Sequence, residues 1–332
     1  GALVKPLLGL PHHIGVAMVG TIVILIVATA GMTSTTFVQF MKGGLLIIFS
    51  TVLVGLLLWN GFATKPSEKY HEFKPLPVTL SDTGEVVAVE DPAYQIIGQT
   101  TAGGRQYVRL DSGGVVSWWS LGVRDGQPVL NEALSVVTTA DGETLYNGGP
   151  IEEERFFQVG HFNRLVVDGE EVDSVKRLNP VSFLIIVSNS EVVRFTKKSF
   201  NYEGEHVTLY VQTLVSGEQV MRPGVKFKLA EGATTASRLD FVSLMLALFF
   251  GTSALPHVLI RYYTVPSQRA ARKSTVVAIA AIGFFYILTL YMGLGAMVNG
   301  VLDVENSNMS APLLAKYFGV ALFAVVSALA FA

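Results

Sequence analysis

A short polar interruption lies inside an apolar segment, and its residue types suit a path for a solute or an ion. The run Phe241–Ile260 is long and apolar enough to cross a bilayer, yet it contains the interruption Gly251–His257. Gly251 weakens a helix and Pro256 removes a backbone donor, so carbonyl and amide groups lose helical partners. Lipid cannot satisfy such groups, so protein or a watery cavity must do so. The interruption therefore predicts a substrate or ion pathway.

Three side chains of the interruption, and one from an earlier apolar segment, each have a functional and a structural interpretation. Thr252 and Ser253 can offer hydroxyls to a carboxylate or an ion, or they can bond to their own helix backbone. His257 can relay protons or gate the path, or it can make a structural hydrogen bond. Gln39 can line the same path or bond to a neighbouring helix. The residues alone leave these alternatives open.

Apolar segments of spanning length flank a long polar stretch. The chain has 332 residues, 50% of them hydrophobic and 15% charged, against about 25% charged in soluble domains. Five segments approach the roughly 20 residues of a spanning helix: Ile14–Ala30, Phe37–Trp59, Phe241–Ile260, Thr275–Val298 and Leu313–Ala332. The predicted division is a membrane segment 1–63, an insert 64–238 and a membrane segment 239–332, with Lys65-Pro66 as one tether of the insert. Both ends cut through apolar runs, so an internal fragment is expected.

Charge gives these segments a direction. The connection after Phe241–Ile260 carries four bases and no acid: Arg261, Arg269, Arg272 and Lys273. The connection 299–312 carries two acids and no base. The positive-inside rule makes the four bases cytoplasmic topology anchors and puts the insert 64–238 outside the plasma (inner) membrane. The insert has more acids than bases, which argues against nucleic acid as a partner.

The insert has the patterns of a mostly antiparallel β domain. It is longer than an ordinary loop and can bury its own core. Strand patterns occur at 84–89, 106–110, 115–119, 181–187 and 206–214. Four dipeptides predict hairpin turns: Asp125-Gly126, Asp141-Gly142, Asn147-Gly148 and Asp168-Gly169. Trp118 and Trp119 fall on opposite faces of a strand, so one ring is expected in the core and the other can pack or bind a ligand.

Catalytic and metal-binding patterns do not emerge from the sequence. His71, His161 and His206 are scattered without metal-ligand spacing, which favours satisfied structural histidines. The chain contains no cysteine, so disulfides within it and thiolate chemistry are excluded. We therefore expect neither an enzyme nor a resident cofactor or metal.

Three motifs together resemble the sodium:solute symporter family, and within it the cation/acetate symporters. The first is Phe250–Val265, with its Pro-His pair followed by Arg261 and two aromatics. The second is Gly31–Lys42, which is similar to a tight turn between two spans of that branch. The third is the aromatic-rich run Tyr286–Thr289. Each motif is weak alone, and the large insert departs from the compact pattern of that branch.

The resemblance implies a LeuT-type inverted-repeat transporter, of which this α-helical membrane protein would hold core helices four to eight and an inserted mostly-β domain. It implies uptake of a small monocarboxylate, such as acetate, coupled to Na⁺ at a midplane site beside broken helices. The usual sodium ligands are expected outside this fragment, so none is assigned here. The partners implied are the lipid bilayer, the monocarboxylate and Na⁺. An alternative is a membrane-anchored sensor that reads a ligand through the β domain.

Overall fold

The computed structural model describes residues 12–253 and 265–320, apart from 69, 125, 151–152, 154, 223–226, 228 and 230–232. The α-helices of this part are α1 (His12–Asn60), α2 (Pro180–Asn189), α3 (Gly217–Met221), α4 (Thr235–Ser253), α5 (Gln268–Val298) and α6 (Ser310–Tyr317). A 3-10 helix, Ser307–Met309, leads into α6.

Fifteen short and long strands are described between and after these helices. They are β1 (Phe62–Ala63), β2 (Leu76–Leu80), β3 (Val86–Val89), β4 (Gln95–Ala102), β5 (Arg105–Ser112), β6 (Val115–Arg124), β7 (Gln127–Thr138), β8 (Thr144–Tyr146), β9 (Val159–Arg164), β10 (Val166–Val167), β11 (Glu170–Glu171), β12 (Ser174–Val175), β13 (Glu191–Tyr202), β14 (Glu205–Ser216) and β15 (Asn299–Leu302).

The first helix is longer than the sequence predicts. α1 continues through Gly31–Ser34, so the predicted tight turn between Ile14–Ala30 and Phe37–Trp59 is wrong. The segment has no proline, and a glycine inside a helix costs only about 1 kcal/mol, so local propensity does not force a turn. Its 49 residues extend about 74 Å at 1.5 Å per residue, more than twice the thickness of a bilayer core.

Two stretches of the described chain are long and apolar enough to span a membrane. They are Gln39–Asn60, the second half of α1, and Gln268–Val298, which is all of α5. Most large side chains between residues 276 and 287 of α5 are exposed, as expected of a surface that faces lipid or further helices. In the middle of the first stretch, exposed Leu45, Ile48 and Val52 precede buried Leu53 and Val54. The predicted span Thr275–Val298 thus lies within a helix of spanning length.

One antiparallel network of eleven strands forms the β domain. Its path runs β15-β9-β13-β14-β7-β6-β5-β4, with β2, β3 and β8 attached beside it. The first half of β7 pairs with β6 and β2, and its second half pairs with β14 and β8. The two parts also share an apolar cluster, in which Tyr107 and Trp118 meet Val207 and Leu209 of β14. The strand patterns at 84–89, 106–110, 115–119 and 206–214 all coincide with strands.

The predicted turn dipeptides lie between strands. Asn147 and Gly148 have φ angles of 49° and 78°, and Asp168 and Gly169 have 52° and 89°. Such positive values at both central residues define the turn type that fits the twist of a hairpin. Gly142 and Gly126 have positive φ angles as well, whereas Asp125 lies outside the described residues.

The tryptophan pair is part of the core on both faces of β6. Trp118 is 1% exposed and Trp119 is 3% exposed. Trp118 packs against Phe200 and Tyr202, and Trp119 packs against Tyr94. The packing interpretation is therefore confirmed, and neither ring is an exposed ligand platform.

The apolar run 181–187 is a helix, so its strand prediction is wrong. It lies in α2, where Asn179 caps the first turn by accepting a hydrogen bond from the Ser182 amide. Pro180 occupies the first helical turn, where its missing N–H removes no helical bond. The cap and the proline favour a helix start, and Phe183, Ile186 and Val187 form its buried face.

The connection after α5 carries a strand. β15 follows α5 directly and pairs with β9. Gly160 of β9 has a φ of 100°, and its missing side chain lets the Met297 carbonyl approach. The last predicted span, Leu313–Ala332, does not begin as one helix, because α6 ends at Tyr317 and Gly319 has a φ of 74°. Residues 321–332 lie outside the described part.

Backbone hydrogen bonds fasten the C-terminal end of α1 to the β domain. The Arg177 amide donates to the Trp59 carbonyl at 3.1 Å, and the Leu178 amide donates to the Leu58 carbonyl at 2.8 Å. The Arg177 guanidinium lies over the Trp59 ring at 5.1 Å. The last carbonyls of a helix have no hydrogen-bond partner within the helix. Here the segment Arg177-Leu178 supplies the amide donors for two of them. The predicted tether Lys65-Pro66 is also held by a hydrogen bond, since Tyr317 Oη donates to the Pro66 carbonyl at 2.6 Å.

A single apolar core joins α1, α5 and the β domain. Phe62 packs on Phe162 of β9 and on Phe183 of α2, and Phe183 also packs on Tyr291 of α5. Tyr291 Oη donates to the Pro180 carbonyl at 3.0 Å. We call this cluster the junction core. Since its members come from all three parts, the helix ends and the β domain cannot separate without exposing it.

α1 and α5 approach each other closely in the junction core at Gly295. A Cβ on Gly295 would lie 2.8 Å from Leu57 Cδ1, and Leu57 is fully buried. Gly293, two residues earlier in α5, is exposed, and a Cβ there would meet no atom within 4 Å.

Gly295→Val should lower the free energy of unfolding by about 1–3 kcal/mol, because the added methyls overfill a closed core. Gly293→Val is the matched control: it removes a glycine from the same helix without a clash. Thermal unfolding of both variants in detergent measures the difference. Equal melting temperatures for the two variants would contradict the helix contact.

Candidate functional site

The described part of the predicted pathway is the last turn of α4. Gly251, Thr252 and Ser253 all lie in this helix, so the chain is still helical where the interruption begins. Gly251 is exposed, and a Cβ there would meet no described atom within 4 Å. Pro256, His257 and Arg261 lie outside the described residues. The role of each of these residues in a pathway stays a prediction.

The other predicted pathway residue lies on a different helix. Gln39 is exposed at the first residue of the candidate span Gln39–Asn60. Its two interpretations, lining a path or bonding to a neighbouring helix, stay predictions.

Three of the predicted topology anchors begin α5 rather than lie in a loop. Arg269, Arg272 and Lys273 are exposed in its first two turns, where Ser267 caps the helix by accepting from the Ala270 amide. The opposite end, Val298, is buried against the β domain. The 26 helical steps from Arg272 to Val298 span about 39 Å at the rise of an α-helix. The basic end and the β domain are therefore separated by more than a bilayer core of about 30 Å.

A polar cavity of about 690 Å³ opens in the β domain beside the junction core. We call it the junction cleft. It is lined by the connection between β1 and β2, including Lys65 and Tyr70, and by residues of β6, β7, β9, β11, β13 and β14. Patterns of single segments do not reveal it, because its walls come from distant parts of the chain. The nearest signal in the sequence is His161, for which the sequence predicts a structural role.

A histidine–tyrosine pair forms one wall of the junction cleft. His161 Nδ1 lies 2.9 Å from Tyr70 Oη. Burial, with a smaller contribution from the positive charge of Arg124, lowers the pKa of His161 to about 4. Burial also raises the pKa of Tyr70, and the nearby Gly160 backbone lowers it by a smaller amount. At neutral pH both side chains are uncharged, so the pair is a neutral polar wall.

The other two histidines of the β domain also have structural partners. His71 Nε2 lies 2.8 Å from Glu132 Oε2, and its ring stacks on Phe157 at 3.8 Å. His206 Nδ1 lies 2.9 Å from Asn201 Oδ1. Across the described residues, no three acidic or histidine side chains are placed to hold a metal ion. These contacts agree with the interpretation of satisfied histidines.

Charged side chains of both signs line the junction cleft. The basic ones are Lys65, Lys74, Arg124 and Arg164, and the acidic ones are Glu72, Glu171 and Glu191. Lys74 Nζ lies 3.5 Å from Glu72 Oε2. Asn163 Nδ2 donates to Glu191 Oε2 at 2.6 Å. With a neutral His161, the wall carries one more base than acids, which suits a small anion.

The lowered pKa of His161 predicts a stability that depends on pH. Between about pH 6.5 and pH 4 the unfolded chain takes up a proton at this residue and the folded chain does not, so stability falls as the pH falls. The free energy of unfolding of the unsubstituted protein falls between pH 7 and pH 4. In His161→Gln this fall should be smaller by on the order of 2–3 kcal/mol. Denaturant unfolding at a series of pH values measures it.

His161→Gln is compared with the unsubstituted protein at each pH. If both lose the same stability between pH 7 and pH 4, the neutral state of His161 in the folded protein is contradicted.

Comparisons with known proteins give partial matches. A protein of Corynebacterium glutamicum named monocarboxylic acid transporter is 47% identical over 120 residues, which is 34% of this chain and 21% of that protein. The uncharacterized symporter YwcA of Bacillus subtilis is 45% identical over 122 residues, 35% of this chain and 22% of that protein. The chain thus spans about a fifth of the length of these relatives. No solved structure matches.

The family match covers far more of the chain than either relative. The model of the sodium:solute symporter family matches residues 1–119 and 204–332, which include both helical parts and the flanks of the β domain. Residues 120–203, from the middle of β6 to just past the end of β13, fall between the two matched stretches. On this match, over more than half of its length, the chain belongs to the sodium:solute symporter family of integral membrane proteins.

Proposed function

We propose that this chain is part of a secondary active transporter that couples entry of Na⁺ to uptake of a small monocarboxylate such as acetate. The observation that carries the proposal is the family match over both helical parts, which contain the interrupted segment Gly251–His257. The name of the Corynebacterium glutamicum relative supports a monocarboxylate as the solute. The polar interruption is the sequence pattern expected of a LeuT-type site, in which a broken helix leaves backbone groups free near the midplane.

The orientation proposed for the β domain is extracytoplasmic. Arg269, Arg272 and Lys273 lie at the end of α5 away from the β domain, about 39 Å along the helix. Bases favour the cytoplasmic side, so the opposite end, with residues 64–238, belongs outside the plasma membrane. The C-terminal end of α1 meets the β domain at the same side, which agrees with this direction.

A sensor is the second candidate, and the junction core is the observation that favours it. A ligand that binds the β domain would act on α1 and α5 through shared contacts rather than through a flexible linker. Excision of the insert cannot separate the two functions, because it would expose Leu57 and Tyr291 of the junction core. The test must therefore rely on uptake and on point variants.

Sodium-driven uptake is the direct test of the transporter. The full-length protein, reconstituted in proteoliposomes, should take up acetate, propionate or pyruvate when Na⁺ is higher outside. Thr252→Val should weaken uptake at least tenfold if its hydroxyl bonds a carboxylate or an ion, since a charge-assisted hydrogen bond contributes roughly 1.5–3 kcal/mol. Initial rates over a range of solute concentrations measure it.

Thr289→Val is the matched control, because the Thr289 hydroxyl donates to Tyr286 of its own helix. It should leave uptake unchanged. If the protein takes up neither these solutes nor proline in response to Na⁺, the transporter proposal is overturned. The sensor is then the remaining candidate. Uptake with equal rates in Thr252→Val and the unsubstituted protein would remove Thr252 from the pathway.

Cysteine labelling in intact cells tests the orientation. This chain has no cysteine, so a single one can be introduced once any cysteines elsewhere in the full-length protein are replaced. Lys198 is an exposed residue of β13, so Lys198→Cys should react with a membrane-impermeant maleimide in intact cells. Arg272→Cys should react only after permeabilisation. The opposite pattern would contradict the proposed direction.

A further inference from the structure

The walls of the junction cleft continue the two candidate spans directly. Thr64 and Lys65 follow β1, which begins two residues after α1 ends. His161 and Asn163 lie on β9, which pairs with β15, the continuation of α5. A molecule held in this cleft would therefore contact residues that are fixed to the ends of both helices.

Two arginines of the cleft lack a carboxylate partner in the described structure. Among described residues, no carboxylate lies within ion-pair distance of Arg124 or Arg164, although both line the cleft. Lys74 already pairs with Glu72. A guanidinium group can bind a carboxylate in a bidentate geometry, with one N–H donating to each oxygen.

The size and the charge of the cleft limit what it can hold. About 690 Å³ is within the range of small-molecule sites, roughly 300–1,000 Å³. Glu72, Glu171 and Glu191 line the same cavity, so the lining carries one net positive charge, which a single carboxylate balances. Apolar side chains such as Phe73 and Leu214 lie beside these polar groups and suit a short hydrocarbon tail.

We propose that the junction cleft is a second binding site, for a small monocarboxylate, in which Arg124 and Arg164 bind the carboxylate. The neutral pair of His161 and Tyr70 lines the pocket without adding charge. The site goes beyond the proposed transport function, since it lies in the β domain and does not need a pathway through the helices. Its occupancy links the solute to the positions of the ends of α1 and α5.

Isothermal titration of the full-length protein in detergent tests the site. The buffer contains potassium and no sodium, which keeps a sodium-coupled transport site from contributing, and the ionic strength is held constant with potassium chloride. Potassium acetate and potassium pyruvate should each show saturable binding. Arg124→Gln should weaken it at least tenfold, as expected for loss of a charge-assisted hydrogen bond.

Arg105→Gln is the matched control. Arg105 is an exposed arginine of β5 outside the cleft, so this variant should bind like the unsubstituted protein. Arg124→Lys keeps the charge and loses the bidentate geometry. Its affinity for acetate should therefore lie between that of Arg124→Gln and that of the unsubstituted protein. It also keeps the test decisive if Arg124→Gln does not fold.

Three results would overturn the proposal. They are no saturable binding of either carboxylate, equal weakening in Arg105→Gln, and binding of inorganic phosphate as tight as that of acetate. None of them depends on uptake: a failed transport assay with intact binding would reject the transporter alone, and intact transport without binding would reject this site alone.

Discussion

The junction core is the constraint on which the rest of the described structure depends. Leu57 of α1 lies against Gly295 of α5, and Phe62, Phe183 and Tyr291 complete the cluster from three different elements. The apolar surface here is shared, so none of the parts buries it alone. The amides of Arg177 and Leu178, which donate to the last carbonyls of α1, add hydrogen bonds beside this core. The β domain is thus built into the helix ends instead of being tied to them by linkers.

Under the proposed transport function, the junction core limits which helices can move independently. Alternating access needs groups of helices to move against each other, and rigid contacts at helix ends set which of them move together. α1 and α5 share one core with the β domain, so they are expected to move as a unit with it. The junction cleft lies where such a unit can be influenced from the aqueous side, because its walls continue both helices.

The sequence predicts local features of this chain well. The turn dipeptides lie at hairpin turns because positive φ angles at Asn147-Gly148 and Asp168-Gly169 are a local property of those residues. It fails where a longer-range contact decides. The run 181–187 has a strand pattern by length and composition, but an Asn179 cap and the junction core make it a helix. Likewise, Asn299–Leu302 becomes a strand only because β9 lies beside it.

By itself, the sequence determined the division into apolar and polar segments, the antiparallel character of the β domain, the basic end of α5 and the family. Each of these rests on composition, on neighbouring residues or on short motifs. Only the tertiary structure decided that the β domain shares a core with the helix ends and that Arg124, Arg164 and His161 line one cleft. The physical reason is that burial and electrostatic fields depend on which distant segments meet, and no local pattern encodes that meeting.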